Sequence, residues 1–387
     1  VRQSKFASIA LCAAALGLGA CGSSGGDDGG GGEAASAGDY GTGLELGTRV
    51  LSSAKVGAAV APWYRWNNAS CGFEVAEDHP SEYRADVREV TGGDAKIGYM
   101  HYGNTDPFGI DNSRSIERVA KEAGMELDVY NLRYPSRTEP NNAANSAIVK
   151  RNRGLIQANL DVSLLPGFHD IVEGEGCMPS IQLYVAIEGR PAMGNHWPDV
   201  GTEIGEFVAT SARERGWSPR ETALVQCTDP DNGPSVNAMF ETVKRAVADS
   251  DFGLAPGDVH DIVCKQSESQ SGYKRVTDWL TAHPQYRHVA FTAIDSIRMQ
   301  EMIRAIGESD LADADTLTAA GADDESSRRS VRAGTQDMSV AFFGERFGEY
   351  AIPMLQDLMA GNAVPSFLGT ELVQLTRDTI DDYYPGG

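Results

Sequence analysis

The feature that most constrains the fold of this 387-residue chain is a rhythm that runs through it twice. Short apolar runs alternate with amphipathic segments of about ten to fifteen residues. The first pass begins with a strand at Lys96–Met100. Asp111, Asn112 and Ser113 then form a capping cluster that opens a helix, and Ile116, Val119, Ala120 and Ala123 share one face of it before Gly124 stops it. A strand at Leu127–Tyr130, a helix at Ala143–Ala158 and strands at Asp161–Leu165 and Ile181–Tyr184 follow. The second pass starts after Trp197. Ile204, Phe207, Val208 and Ala212 stripe one helix, Thr222–Cys227 is a strand, and Val236, Met239, Phe240, Val243 and Val247 stripe the next helix. Strands at His260–Cys264, Val289–Thr292 and Thr316–Ala320 alternate with helices around Val276–Ala282 and Ser296–Ile306. Such alternation predicts parallel sheets covered by helices on both faces, and two runs predict two doubly wound α/β domains. Ligands of such sheets sit beyond the carboxyl ends of the strands, so candidate site residues are sought in the loops there.

The N-terminal segment reads as an address. Arg2 and Lys5 precede an Ala/Leu-rich stretch from Ala7 to Ala20, the pattern of a secretory signal, and the stretch is too short for a stable span. Leu18-Gly19-Ala20-Cys21 resembles the lipobox of bacterial lipoproteins. That resemblance implies cleavage after residue 20 and lipid modification of Cys21; an ordinary signal with an incidental Cys is the alternative. From Gly22 to Gly32 only Gly, Ser and Asp occur, a composition that cannot bury apolar area to offset its ordering entropy. Residues 21–44 are therefore expected to be a flexible tether that holds the protein on a membrane surface without spanning it. Residues 45–94 sustain neither a helical nor an alternating period and are expected to be an extension packed on the main body.

Charge and cysteines narrow the setting. With 33 Lys+Arg against 55 Asp+Glu, the formal charge of −22 argues against a nucleic-acid partner. Beyond the signal, no apolar run approaches the roughly 20 residues that span a bilayer. The body holds Cys71, Cys177, Cys227 and Cys264, an even set that permits two disulfides in an oxidising compartment. Cys227 and Cys264 end consecutive predicted strands, which often lie side by side, so they are paired, leaving Cys71 with Cys177. Buried free thiols are the alternative. The cysteines lack the close spacing of a zinc site, and no metal or cofactor is expected.

From Lys96 to Pro385 the chain resembles the type I periplasmic sugar-binding proteins, the ribose-, galactose- and xylose-type receptors of ABC importers. The likeness rests on Lys96–Phe108, similar to the family's first strand followed by Asn-Pro-Phe-Phe, and on Ser115–Gly124, similar to its first helix. Trp279-Leu280 with Pro284, Val289–Asp295 and Gly321-Ala322-Asp323 are similar to later family stretches. Gly348–Val364 resembles the closing helix, and Thr376–Tyr384 the family's ending. The resemblance implies two lobes joined by three crossings, with residues 95–197 and 343–369 in lobe one and residues 198–342 and 370–384 in lobe two. Ligand would bind between them and the lobes would close by a hinge motion.

A sugar offers hydroxyls in fixed directions and an apolar face, so its binder needs aromatic planes and hydrogen-bonding rims. Phe108 sits where the family stacks a Phe, with Tyr102, Asn104 and Asp106 on the same loop. His169 and Asp170 follow the predicted third strand, where the family often places a polar contact; a solvated loop is the competing reading. Asn195-His196-Trp197 lies at the first crossing, as a carbohydrate contact or as a buried hinge Trp. Asp229, Asp231 and Asn232 follow the Cys227 strand, without the residue and the closing Glu that a calcium loop requires. Asp295 and Asp323 end two further strands and match family positions, Asp323 being the leading carboxylate. The chain departs from the family pattern at Pro234-Ser235-Val236, where an Arg is common, at Ile294, and at Phe342, which replaces a Gln.

These residues imply a lipid-anchored receptor, expected to be a monomer, that passes a small polar molecule, most simply a sugar, to an ABC permease. A receptor docking on a membrane histidine kinase is the alternative. An exported enzyme is disfavoured, because the chain has no Gly-x-Ser-x-Gly, His-Glu-x-x-His or phosphate-binding Gly-Lys-Ser/Thr loop.

Overall fold

A computed structural model describes residues 43–91, 95–102, 106–133, 135–311 and 315–386. The expected signal, lipid-modified Cys21 and residues 22–42 of the tether lie outside the described residues, as does Asn104; the tether's last residue, Leu44, is instead buried against the body and donates to the Met359 carbonyl at 2.9 Å. The chain enters through β1 (Leu46–Ala54), β2 (Ala58–Asn67), β3 (Gly72–Val75) and β4 (Ala85–Val90), so the extension without a readable period is built of strands. β1 and β4 pair as a two-stranded antiparallel ribbon.

The rhythm then follows as β5 (Lys96–His101), α1 (Pro107–Glu122), β6 (Glu126–Asn131), α2 (Glu139–Val149), β7 (Leu155–Ala158), β8 (Ser180–Leu183) and β9 (Ala192–Gly194). α1 opens five residues earlier than the capping cluster at Asp111 suggests. Asp106 is its cap, accepting from the Gly109 N–H at 2.9 Å, and Pro107 pre-sets the first turn. The helix expected over 143–158 is two elements. Arg151 takes a left-handed conformation (φ 59°) that ends the helical course, and Leu155–Ala158 is the buried third strand. Asp161–Leu165, expected as a strand, is a short helical turn capped by Asp161.

Lobe two contains α3 (Trp197–Glu214), β10 (Thr222–Thr228), α4 (Gly233–Asp249), β11 (Val259–Val263), α5 (Ser271–Ala282), β12 (His288–Ala293), α6 (Ser296–Gly307), β13 (Thr316–Ala320), α7 (Glu325–Ala333) and β14 (Met338–Ala341). The chain returns through α8 (Gly348–Ala360) and β15 (Val364–Gly369), and ends in β16 (Val373–Thr376) and α9 (Ile380–Tyr383).

Among the described residues, one sheet has the order β3-β2-β15-β9-β8-β7-β5-β6 and the other β11-β10-β12-β13-β14-β16. From β15 to β6 every pairing is parallel, and so are those from β11 to β14. β5, β7, β8, β10, β12 and β13 are buried nearly throughout, as strands covered on both faces must be. Two parallel-sheet lobes result, joined where the chain passes from β9 into α3, from β14 toward α8, and from β15 to β16.

The extension belongs to the first lobe. β2 pairs antiparallel with β15, from Tyr64 opposite Val364 to Ala58 opposite Gly369. The β1–β4 ribbon grips α8: Gln356 exchanges two hydrogen bonds with the Arg88 backbone at 3.0 and 2.7 Å, and the Tyr83 hydroxyl donates to Asp357 at 2.9 Å. Disulfides join Cys71, on the turn between β2 and β3, to Cys177, just past the helical turn at 170–175, and Cys227 to Cys264, across the ends of β10 and β11.

Candidate functional site

A cleft lies between the lobes at the carboxyl ends of the strands. Lobe one supplies His101 at the end of β5 and Tyr102 after it, Asp106 and Phe108 at the start of α1, Asn159 and Leu160 after β7, and Tyr184 after β8. Lobe two supplies Asn232 before α4, Gln266 after β11, Ile294, Asp295 and Ser296 around the start of α6, and Asp324 before α7. Trp197 and Phe342 stand at two of the crossings and line the cleft from the hinge side.

The aromatic residues form one connected group. Phe108 meets Phe342 edge-on at 5.0 Å and Tyr184 at 5.7 Å, while Trp197 meets Phe342 at 6.2 Å. The Trp197 indole N–H donates to the Tyr184 carbonyl at 3.0 Å, and the Tyr184 hydroxyl accepts from Asn112 at 3.0 Å. Tyr184 itself is left-handed (φ 74°), and the facing Gly194 leaves no room for a side chain, since a Cβ there would lie 3.0 Å from the Tyr184 backbone. That close approach fixes the ring at the end of β8.

Three carboxylates enter the cleft in the same way, each as the cap of a helix. Asp106 accepts from Gly109 at 2.9 Å, Asp295 from Arg298 at 2.7 Å, and Asp324 from Ser326 at 2.8 Å. Burial pushes Asp106 up to about 6, with the Asp295 and Asp324 charges adding to the effect and the Gly109 N–H opposing it. Burial likewise raises Asp295. Burial lowers His101, keeping its imidazole neutral at pH 7. The lobes meet at the rim, where a Cβ on Gly233 would lie 3.0 Å from the Asp161 Cβ, so the two walls face each other across a closed cleft.

No protein-family model matches the chain, and no curated protein matches it. Solved structures do. A solute-binding protein of an ABC transporter from Bacillus halodurans C-125, with bound myo-inositol, aligns at TM-score 0.65 and 16% identity over 75% of this chain and 97% of its own. One from Actinobacillus succinogenes 130z, with bound D-allose, aligns at TM-score 0.64 and 15% identity over 74% and 99%. The periplasmic ribose ABC transporter protein of Conexibacter woesei DSM 14684 aligns at TM-score 0.62 and 20% identity over 76% and 97%. The fold is that of a periplasmic solute-binding protein.

Within this solute-binding fold, Tyr102, Asp106, Phe108, Trp197, Asp295 and Phe342 line the cleft. The other expected residues within the described chain do not. Asp323 is buried beneath the second crossing, where its Oδ2 accepts the Phe342 and Phe343 N–H groups, the former at 3.0 Å. Burial and the neighbouring Glu345 raise its pKa. It pins the hinge, and Asp324 takes the place in the cleft. Both oxygens of Asp229 are occupied by backbone N–H groups, of Asp231 at 3.0 Å and Gln266 at 2.7 Å, so it shapes the loop that presents Asn232. His169 lies by a helical turn at 170–175, 3.4 Å from Glu173, which also pairs with Arg190; this turn is remote in sequence from the true third strand. Asn195 is buried at the first crossing, off the lining.

The lining also includes Asn159, Tyr184, Gln266 and Asp324, which the sequence reading did not single out, and Asn232, which it named only beside Asp229. Tyr184 closes a correctly read strand, so the rule of strand carboxyl ends would have found it. Asn159 was hidden because its strand was read as helix. Asp324 carries a cap signature, an acid followed by Glu325 and Ser326 at a helix start.

Proposed function

We propose that this chain is a lipid-anchored, extracytoplasmic receptor that captures a small polar solute, a sugar in the first instance, and hands it to an ABC importer. The observation that carries this reading is the interlobe cleft, which joins an aromatic group around Phe108 to three cap carboxylates from both lobes. An aromatic plane suits the apolar face of a sugar, and fixed carboxylates suit its hydroxyls. The bound D-allose and myo-inositol of two similar structures favour the same class of ligand. The moving bodies would be residues 95–197 with 343–369 and residues 198–342 with 370–384, a hinge closure in which both walls must touch ligand. Among the described residues no helix is long and apolar enough to cross a membrane. Attachment is assigned to Cys21, and Cys21→Ser would move the protein from the membrane to the soluble fraction.

The test is thermal unfolding of the full chain against pentoses, hexoses, inositols, disaccharides, amino acids and nucleosides. A ligand at 100 times its Kd adds about 2.7 kcal/mol and raises Tm by a few degrees. A shift by a sugar or inositol supports the reading. A shift by an amino acid or nucleoside alone overturns the sugar class and keeps the receptor, and silence across the panel counts against both.

A further inference from the structure

The cleft is rich in acceptors and poor in donors. Asp106, Asp295 and Asp324 line it, and no Lys or Arg does among the described residues. Asp106 and Asp324 have no ion-pair partner among those residues. Arg298, 3.6 Å from Asp295, stands behind it and off the lining. Arg328 turns away, donating to the Asp323 carbonyl and lying 4.4 Å over the Tyr384 ring. The helix ends that these residues cap contribute roughly half a positive charge each, which offsets only part of three carboxylates.

Uncharged groups add unmet hydrogen bonds of both kinds. Asn232 is 1% exposed and its Oδ1, an acceptor, has no protein partner; Asn159 is 2% exposed and its Nδ2 donor has none. Both side chains line the cleft. A buried amide left unpaired is costly, so these groups are held for a ligand. The indole N–H of Trp197, which would otherwise be a donor, is already spent on the Tyr184 carbonyl. A hydroxyl both donates and accepts, whereas an ammonium only donates and brings the charge that this cavity lacks. The rings of Phe108, Tyr184 and Trp197 add walls that attract cations.

We propose that the ligand carries a protonated amine on a hydroxylated ring, with the ammonium seated between Asp106 of one lobe and Asp324 of the other. The inference rests on the receptor reading and sharpens its ligand class. Charge complementarity across the cleft would also favour closure, because one cation then bridges carboxylates from both lobes.

The experiment is calorimetric titration of the full chain, in mild detergent at pH 7, with pairs that differ at one substituent: D-glucosamine against D-glucose, and D-galactosamine against D-galactose. N-acetyl-D-glucosamine serves as the uncharged amide control. The expected result is at least tenfold tighter binding of one amine than of its neutral partner and of the amide. Asp106→Asn and Asp324→Asn, which keep a capping oxygen, abolish that preference without lowering Tm. A neutral sugar that binds as tightly as its amine overturns the inference and leaves the sugar receptor standing. Binding by no member of either pair overturns the inference, and the inositols and pentoses of the wider panel then decide the receptor reading separately. A preference that survives both Asn variants also overturns it.

Discussion

The two lobes share one architecture and differ in what they bring to the cleft. Lobe one presents rings, with Tyr102, Phe108 and Tyr184 at its strand ends and Asp106 as its single carboxylate. Lobe two presents Asn232, Gln266, Asp295, Ser296 and Asp324, with Ile294 as its main apolar contact. One wall can grip a flat face and the other can read a pattern of polar groups. A ligand held this way has its orientation set by the first lobe and its identity tested by the second. The lobes also differ in size, since β2 and β3 widen the first sheet and the β1–β4 ribbon braces α8. The lobe that presents the rings is thus the better-supported one.

The largest effect should separate the two disulfides. The Cys71–Cys177 bridge closes a loop of 106 residues and ties the extension to lobe one, whereas Cys227–Cys264 closes 37 residues inside lobe two. Chain entropy assigns about 5 kcal/mol to the first and about 4 kcal/mol to the second. Chemical denaturation of Cys71→Ser/Cys177→Ser should show the greater loss, with Cys227→Ser/Cys264→Ser about 1 kcal/mol behind. The reverse order would mean that the extension adds little to lobe one.

The same contrast explains what could be read from sequence. Lobe two was legible from α3 to β13, though not at α7 or β14, because periodic apolar positions are local: Val236, Met239, Phe240, Val243 and Val247 are all buried on α4. The extension was not, because β2 and β3 are fixed by partners far away or at a sheet edge. Ala58–Ala61 of β2 is exposed and has no apolar alternation to detect, and its partner β15 lies some 300 residues on. Only part of the cleft lining was legible: Tyr102, Asp106, Phe108, Trp197, Asp295 and Phe342 line it, while Asp323 stands one residue from the lining. Asp323 and Asp324 follow the same strand, and which of them faces the cleft depends on a backbone turn made only against Phe342 and Phe343. Family likeness placed the loop, and tertiary hydrogen bonding chose the residue.

A smaller effect tests the one carboxylate on the aromatic wall. Asp106 has its pKa raised from 3.8 to about 6 by burial and by the facing Asp295 and Asp324. The folded state therefore holds a proton more tightly than the unfolded one. By linkage, this contribution to stability is fully present below about pH 4 and is lost as pH rises through about 6. At about 1.4 kcal/mol per unit, and discounted for partial solvent access, the loss at pH 7.5 is roughly 2 kcal/mol. Asp106→Asn keeps the cap and removes the charge. Its Tm should exceed that of the parent at pH 7.5, with the gap narrowing as pH falls and closing below about pH 4. A variant less stable at pH 7.5 would show that the cap contributes more than the buried charge costs.

The smallest effect, and the one that most sharpens the comparison, sets one substitution on each wall side by side. Phe108→Leu keeps an apolar side chain against Tyr184, Phe342 and Phe347 while removing the flat face. The swap removes three carbons at a half-buried position and should cost about 1–2 kcal/mol of stability. Loss of the ring should weaken every ring-shaped ligand by a similar factor, about tenfold for roughly 1.4 kcal/mol of stacking. Asn232→Ala on the opposite wall removes a buried acceptor that has no protein partner, so it should cost the fold little. It should instead change the order in which epimers bind, because it deletes one point of a polar pattern. Competition titrations with glucose, galactose, mannose and allose read both outcomes. If Phe108→Leu reorders the epimers and Asn232→Ala weakens them uniformly, the division between a gripping wall and a reading wall is wrong, because each lobe would then be doing the work assigned to the other.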